Sequence, residues 1–83
     1  MGKAGQALKQ ALERHSVSQY VLAATLGIER ANVHRWVREI RDPTAERVYE
    51  ITEALQQLNP EAAKEFVRLY LGKVVEDSDT EDS

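Results

Sequence analysis

The sequence predicts an all-α fold of five short helices around a single core, and three observations carry that prediction. Apolar residues recur at three- and four-residue spacing and never alternate over the length of a strand. Residues that start or stop helices, among them Gly27, Asp42-Pro43 and Asn59-Pro60-Glu61, punctuate the chain. The chain has 83 residues, and one of that length buries only about 60 % of its unfolded surface, so its apolar residues serve one core.

The first helix is expected over about Lys3 to His15, with Ala4, Leu8, Ala11 and Leu12 on one face. Ser18 is placed to cap a second, about Gln19 to Leu26, and Gly27 to stop it in a left-handed conformation. A third follows almost at once, about Arg30 to Ile40, with Val33, Trp36, Val37 and Ile40 on one stripe and Asp42-Pro43 behind it. Thr44 caps a fourth, about Ala45 to Leu58, whose core stripe is Val48, Ile51, Leu55 and Leu58. Asn59-Pro60-Glu61 supplies an N-cap, a first-turn proline and a first-turn acid for a fifth. That helix is expected to reach about Leu71, bury Ala62, Phe66, Leu69 and Tyr70, and stop at Gly72. Val67, Leu71 and Val74 form a second apolar row beside its core stripe, which suggests a two-fold dimer interface.

No repeat or proline-rich linker divides the chain, so residues 1–75 are read as one domain and the acidic end, 76–83, as a disordered tail. Either the tail is a solubilising segment or it competes with an anionic partner for the basic surface. The formal net charge is -3, yet Glu76, Asp77, Asp79, Glu81 and Asp82 are five of the fourteen acids. Residues 1–75 therefore hold eleven bases against nine acids, and Arg30 to Arg41 hold four arginines against Glu39. Ions screen a field beyond about 10 Å at 0.1 M salt, so this local excess is what an approaching anion meets.

With no cysteine, a disulfide framework and a thiolate metal site are both excluded. His15 and His34 stand far apart in sequence and suggest no metal centre; His15 suits a helix C-terminus. Ser16 beside His15 makes no catalytic pair, and there is no phosphate loop or paired-acid site, so no enzyme chemistry and no cofactor are expected. The longest apolar run, Tyr20 to Ala24, falls far short of the roughly 18 residues a membrane span needs. The first six residues, Met1 to Gln6, resemble neither a secretory signal nor a myristoylation signal, so a cytoplasmic protein is expected.

Gln19 to Trp36 is the informative segment. Ala23 lets two helices approach, Leu26 and Ile28 flank the turn, Gly27 sits at the turn itself, and Val33 and Trp36 face back onto the first helix. In Gln19, Ala23, Leu26-Gly27-Ile28, Val33 and Trp36, with Pro43 and the helix after it, the chain resembles the phage repressor and Cro type of helix-turn-helix, the Xre-like family. The resemblance covers about Leu8 to Leu58 and implies a repressor-like five-helix bundle. It also implies a regulator of transcription that binds double-stranded DNA, with the second helix of the motif in the major groove, and a homodimer.

The charge pattern agrees independently. At about 100° per residue, Arg30, Ala31, His34, Arg35, Arg38 and Arg41 spread over the side of the third helix opposite its apolar stripe. By analogy with the family, Arg30, Ala31, His34 and Arg35 are candidates for base edges, and Gln19, Arg38 and Arg41 for phosphates. Arginine suits guanine, whose O6 and N7 its fork meets together. His34 is equally well a plain surface histidine. Glu29 departs from the family, which usually begins this helix with a small hydroxyl residue; it either accepts from a cytosine amino group or only favours the helix N-terminus electrostatically. The rival reading is a protein-interaction module, antitoxin-like or coactivator-like, in which the same fold grips a protein.

Overall fold

Five α-helices follow one another in the computed structural model, which describes residues 3–72: α1 (Lys3–Arg14), α2 (Gln19–Leu26), α3 (Arg30–Val37), α4 (Ala45–Leu58) and α5 (Pro60–Val67). A π-helical turn, Arg68–Gly72, continues α5. The described residues contain no strand, and none of their helices is long and apolar enough to cross a membrane. The expected boundary at residue 75, the acidic end and Val74 lie outside the described residues.

The core gathers one face of every helix. Leu8, Leu22, Val33, Ile51, Leu55 and Phe66 are its largest fully enclosed side chains, and each such burial contributes about 1.5–3 kcal/mol against exposure. Ala4, Ala11, Leu12, Trp36, Val37 and Ala62 join them as the periodicity predicts. Alanines 54 and 63 are buried as well, off the expected stripes, where small side chains let α4 and α5 pack closely. Val48, Leu69 and Tyr70 pack on the cluster half-buried, with the Tyr70 ring stacked 6.2 Å from that of Phe66.

Helix starts follow side-chain chemistry. Ser18 Oγ accepts from Val21 N–H (3.0 Å), Thr44 Oγ1 from Arg47 N–H (3.1 Å), and Asn59 Oδ1 from Glu61 N–H (3.0 Å); each satisfies a donor that the first helical turn leaves over.

Helix ends use one device three times. After α1, α2 and α3 a residue turns left-handed, Ser16 (φ 55), Gly27 (φ 74) and Glu39 (φ 62). The next amide then reaches back to the last turn: Val17 N–H to Leu12 O (2.9 Å), Ile28 N–H to Ala23 O (3.0 Å) and Ile40 N–H to Arg35 O (2.9 Å). This corrects the expected third helix, which ends at Val37 rather than Ile40. Once Glu39 turns left-handed, helical periodicity no longer applies, and Ile40 is 71 % exposed instead of sharing the core stripe. Leu58, also expected in the core, closes α4 at its surface edge and is 36 % exposed. The α-helical part of α5 stops at Val67, short of Leu71.

Contacts at both ends fix α1 against the rest. A Cβ placed on Gly5 would lie 3.2 Å from the Trp36 carbonyl carbon and closer still to its oxygen, so α1 crosses the end of α3 backbone to backbone. Beside it, Gln6 Nε2 donates to Glu39 Oε1 (3.3 Å). At the far end of α1, Arg14 Nη1 and Arg68 Nη2 both donate to Glu65 Oε2, at 2.7 and 2.8 Å. The Arg68 hydrogen bond above all, with the charges of Arg68, Arg14 and His15, holds the Glu65 carboxyl below its ordinary pKa.

Candidate nucleic-acid interface

α2 and α3 form a pair joined by only three residues, Gly27 to Glu29. Ala23, 2 % exposed, is the small residue on the buried side of α2, and Val33, Trp36 and Val37 are the buried side of α3. Leu26 and Ile28 pack half-buried on the core at either side of the left-handed Gly27. The Trp36 ring is covered by Arg47 of α4, whose guanidinium carbon sits 6.0 Å from its centroid, and Arg47 is held in turn by Glu50 at 2.7 Å. Buried packing on one side thus leaves α3 one free side.

On that side Arg30, Ala31, His34 and Arg35 are exposed together. Arg38 and Arg41 are exposed too, but in the turn after α3 rather than on it. The arginines fall into two groups. Arg14, Arg47 and Arg68 each bond a glutamate, whereas Arg30, Arg35, Arg38 and Arg41 have no ion-pair partner among the described residues. Glu29 occupies the N-cap of α3 (φ -80, ψ 146) and makes no side-chain capping bond; only its carbonyl is used, accepting from Asn32 N–H at 3.0 Å.

Gln19 stands apart from this group. At the start of α2 it is half-buried, and its Oε1 is enclosed without a hydrogen-bond partner among the described residues. It lines a cavity of about 120 Å³ with Lys9, Leu12, Glu13, Val17 and Val37.

Two features of the pair are not foreseen by the charge pattern. Asn32, half-buried on α3, accepts through Oδ1 from Arg35 Nη1 at 3.4 Å; the signal available in sequence was only the three-residue spacing. Tyr20 and Val21, inside an apolar run, are 70 % and 41 % exposed, because a helix of eight residues turns only Leu22 and Ala23 into the core.

Residues 8–61 of the 83 match the family model described as helix-turn-helix. The chain belongs to the helix-turn-helix family. No curated protein and no solved structure matches it. The matched span runs from within α1 into the first turn of α5, so the helix-turn-helix pair α2–α3 and helix α4 lie wholly within the match, and α1 and α5 only in part. Helix-turn-helix domains of this Xre-like, repressor and Cro type are DNA-binding regulators.

Proposed function

We propose that this protein is a transcriptional regulator that recognises a particular double-stranded DNA sequence as a homodimer, with α3 in the major groove. The observation that carries the reading is the separation of its arginines: Arg14, Arg47 and Arg68 bind glutamates, while Arg30, Arg35, Arg38 and Arg41 have no ion-pair partner among the described residues. An unpaired guanidinium presents five N–H groups, enough for a guanine edge or a phosphate. Arg30, Ala31, His34 and Arg35, sharing the free side of α3, read base edges, and Ala31 is small enough for contact with a thymine methyl. Glu29, with its carboxylate unused in capping, accepts from a cytosine amino group. Arg38 and Arg41, in the turn after α3, and Gln19, at the start of α2, hold phosphates and set the register. Because phosphate contacts release counterions, affinity falls steeply with salt.

The dimer reading rests on Val67 and Leu71, 41 % and 48 % exposed on the last helix and its π-turn, an apolar pair that a monomer leaves wet. A two-fold pairing there presents two copies of α3 to half-sites about 34 Å apart. Selection of bound sequences from a random duplex pool tests the whole reading. The expected result is one enriched, palindromic site. A pool that stays random after repeated rounds contradicts it and favours the protein-binding role.

A further inference from the structure

Resting on the reading of α3 as the base-contacting helix, we propose that Asn32 is a positioning residue that sets sequence preference by holding Arg35. Arg35 is exposed and lacks a carboxylate partner among the described residues, so by itself its long side chain samples many rotamers. Asn32, one turn earlier, is half-buried on the edge of the same free side, and its Oδ1 accepts from Arg35 Nη1 at 3.4 Å. Residues three apart on a helix stand about 5–6 Å apart at Cβ, which suits a short amide beneath a long guanidinium. The bond uses one of the five guanidinium donors and leaves a pair free for guanine O6 and N7. A side chain restrained before binding loses less freedom on meeting its base, and one restrained in a single direction discriminates between neighbouring base pairs better. Among the described residues Arg30, Arg38 and Arg41 make no side-chain bond of this kind, so the device singles out one of the four arginines.

Binding of the full chain to the selected duplex, and to that duplex changed one base pair at a time, tests this with Asn32→Ala, Asn32→Asp, Arg35→Ala and the Asn32→Ala, Arg35→Ala double variant. Expected is a loss of discrimination of about fivefold in Asn32→Ala, confined to the base pair that Arg35→Ala also relaxes, with non-specific affinity unchanged. Asn32→Asp, which still offers an acceptor, keeps the preference at that pair while binding all DNA more weakly. The double variant discriminates no worse than Arg35→Ala alone. Relaxation at a different base pair, additive with Arg35→Ala, shows that Asn32 reads a base itself and overturns the positioning role. Unchanged discrimination in Asn32→Ala overturns it as well, while leaving Arg35 as a reader. Unchanged discrimination in Arg35→Ala overturns the reading of α3 and this inference with it.

Discussion

Replacing Gly5 by alanine tests how the end of α3 is placed. The added Cβ would lie 3.2 Å from the Trp36 carbonyl carbon and inside the 3.0 Å that real Cβ atoms essentially never pass from the oxygen. Both sides of this contact are backbone, so no rotamer change relieves it; the helices must part by roughly 1 Å to recover van der Waals separation. Two effects then compete. Alanine is favoured over glycine within a helix by at most about 1 kcal/mol, and less here because Gly5 lies in the first turn of α1. Overpacking costs about 1–3 kcal/mol, more where backbone must move. The net expectation is a loss of about 1–2 kcal/mol, a fall in Tm of roughly 4–16 °C for a chain of this size, followed by circular dichroism. The Trp36 carbonyl also accepts from Glu39 N–H (3.0 Å) in the turn that leads to Arg41. Affinity for DNA therefore falls further than the small unfolded fraction explains. A variant as stable as the parent, with DNA binding intact, would refute the claim that this crossing holds α3 in place.

Three other expectations follow from single contacts. Ser16→Gly places glycine where the backbone is left-handed (φ 55) and should stabilise by about 0.5–1 kcal/mol, the strain removed less the entropy glycine adds to the unfolded chain; an unchanged or lower denaturation midpoint counts against it. The lowered pKa of Glu65 makes its ion pairs a pH-dependent source of stability, fully present above the ordinary glutamate value of about 4.3 and lost as pH falls through the lower folded value. Glu65→Gln should abolish that part of the acid sensitivity in a pH series of thermal melts, and an identical acid profile would sink the assignment. Val67→Asp with Leu71→Asp should convert a dimer into a folded monomer by sedimentation equilibrium; a parent that stays monomeric at high concentration, with and without DNA, contradicts the dimer.

The helix starts were legible because Ser18, Thr44 and Asn59 act through the chemistry of their own side chains. The ends were less so. Gly27 announces a left-handed residue, whereas Ser16 and Glu39 take the same conformation with no glycine to mark it. Hence helical spacing alone extends α3 three residues too far and places Ile40 in the core. Gly5 was silent for a different reason, since its lack of a side chain matters only through Trp36, 31 positions away and visible only in the fold. On the free side of α3, helical spacing alone grouped Arg30, Ala31, His34 and Arg35. Which arginines are already bound to glutamates is a matter of tertiary contact, as is the bond from Arg35 to Asn32.

The central claim, that α3 reads DNA while the turn behind it grips the backbone, is tested most directly by the salt dependence of binding. Arg30→Ala, Arg35→Ala, Arg38→Ala and Arg41→Ala would each be titrated with the selected duplex and a scrambled one. All four should keep the parent's circular dichroism, because each side chain is exposed and has no ion-pair partner among the described residues. Arg30→Ala and Arg35→Ala should weaken binding to the selected duplex by roughly 1–3 kcal/mol and narrow its advantage over the scrambled one. Arg38→Ala and Arg41→Ala should weaken both duplexes equally and lower the slope of log affinity against log salt by about one unit each. Four folded variants that bind the selected duplex as the parent does would contradict the claim.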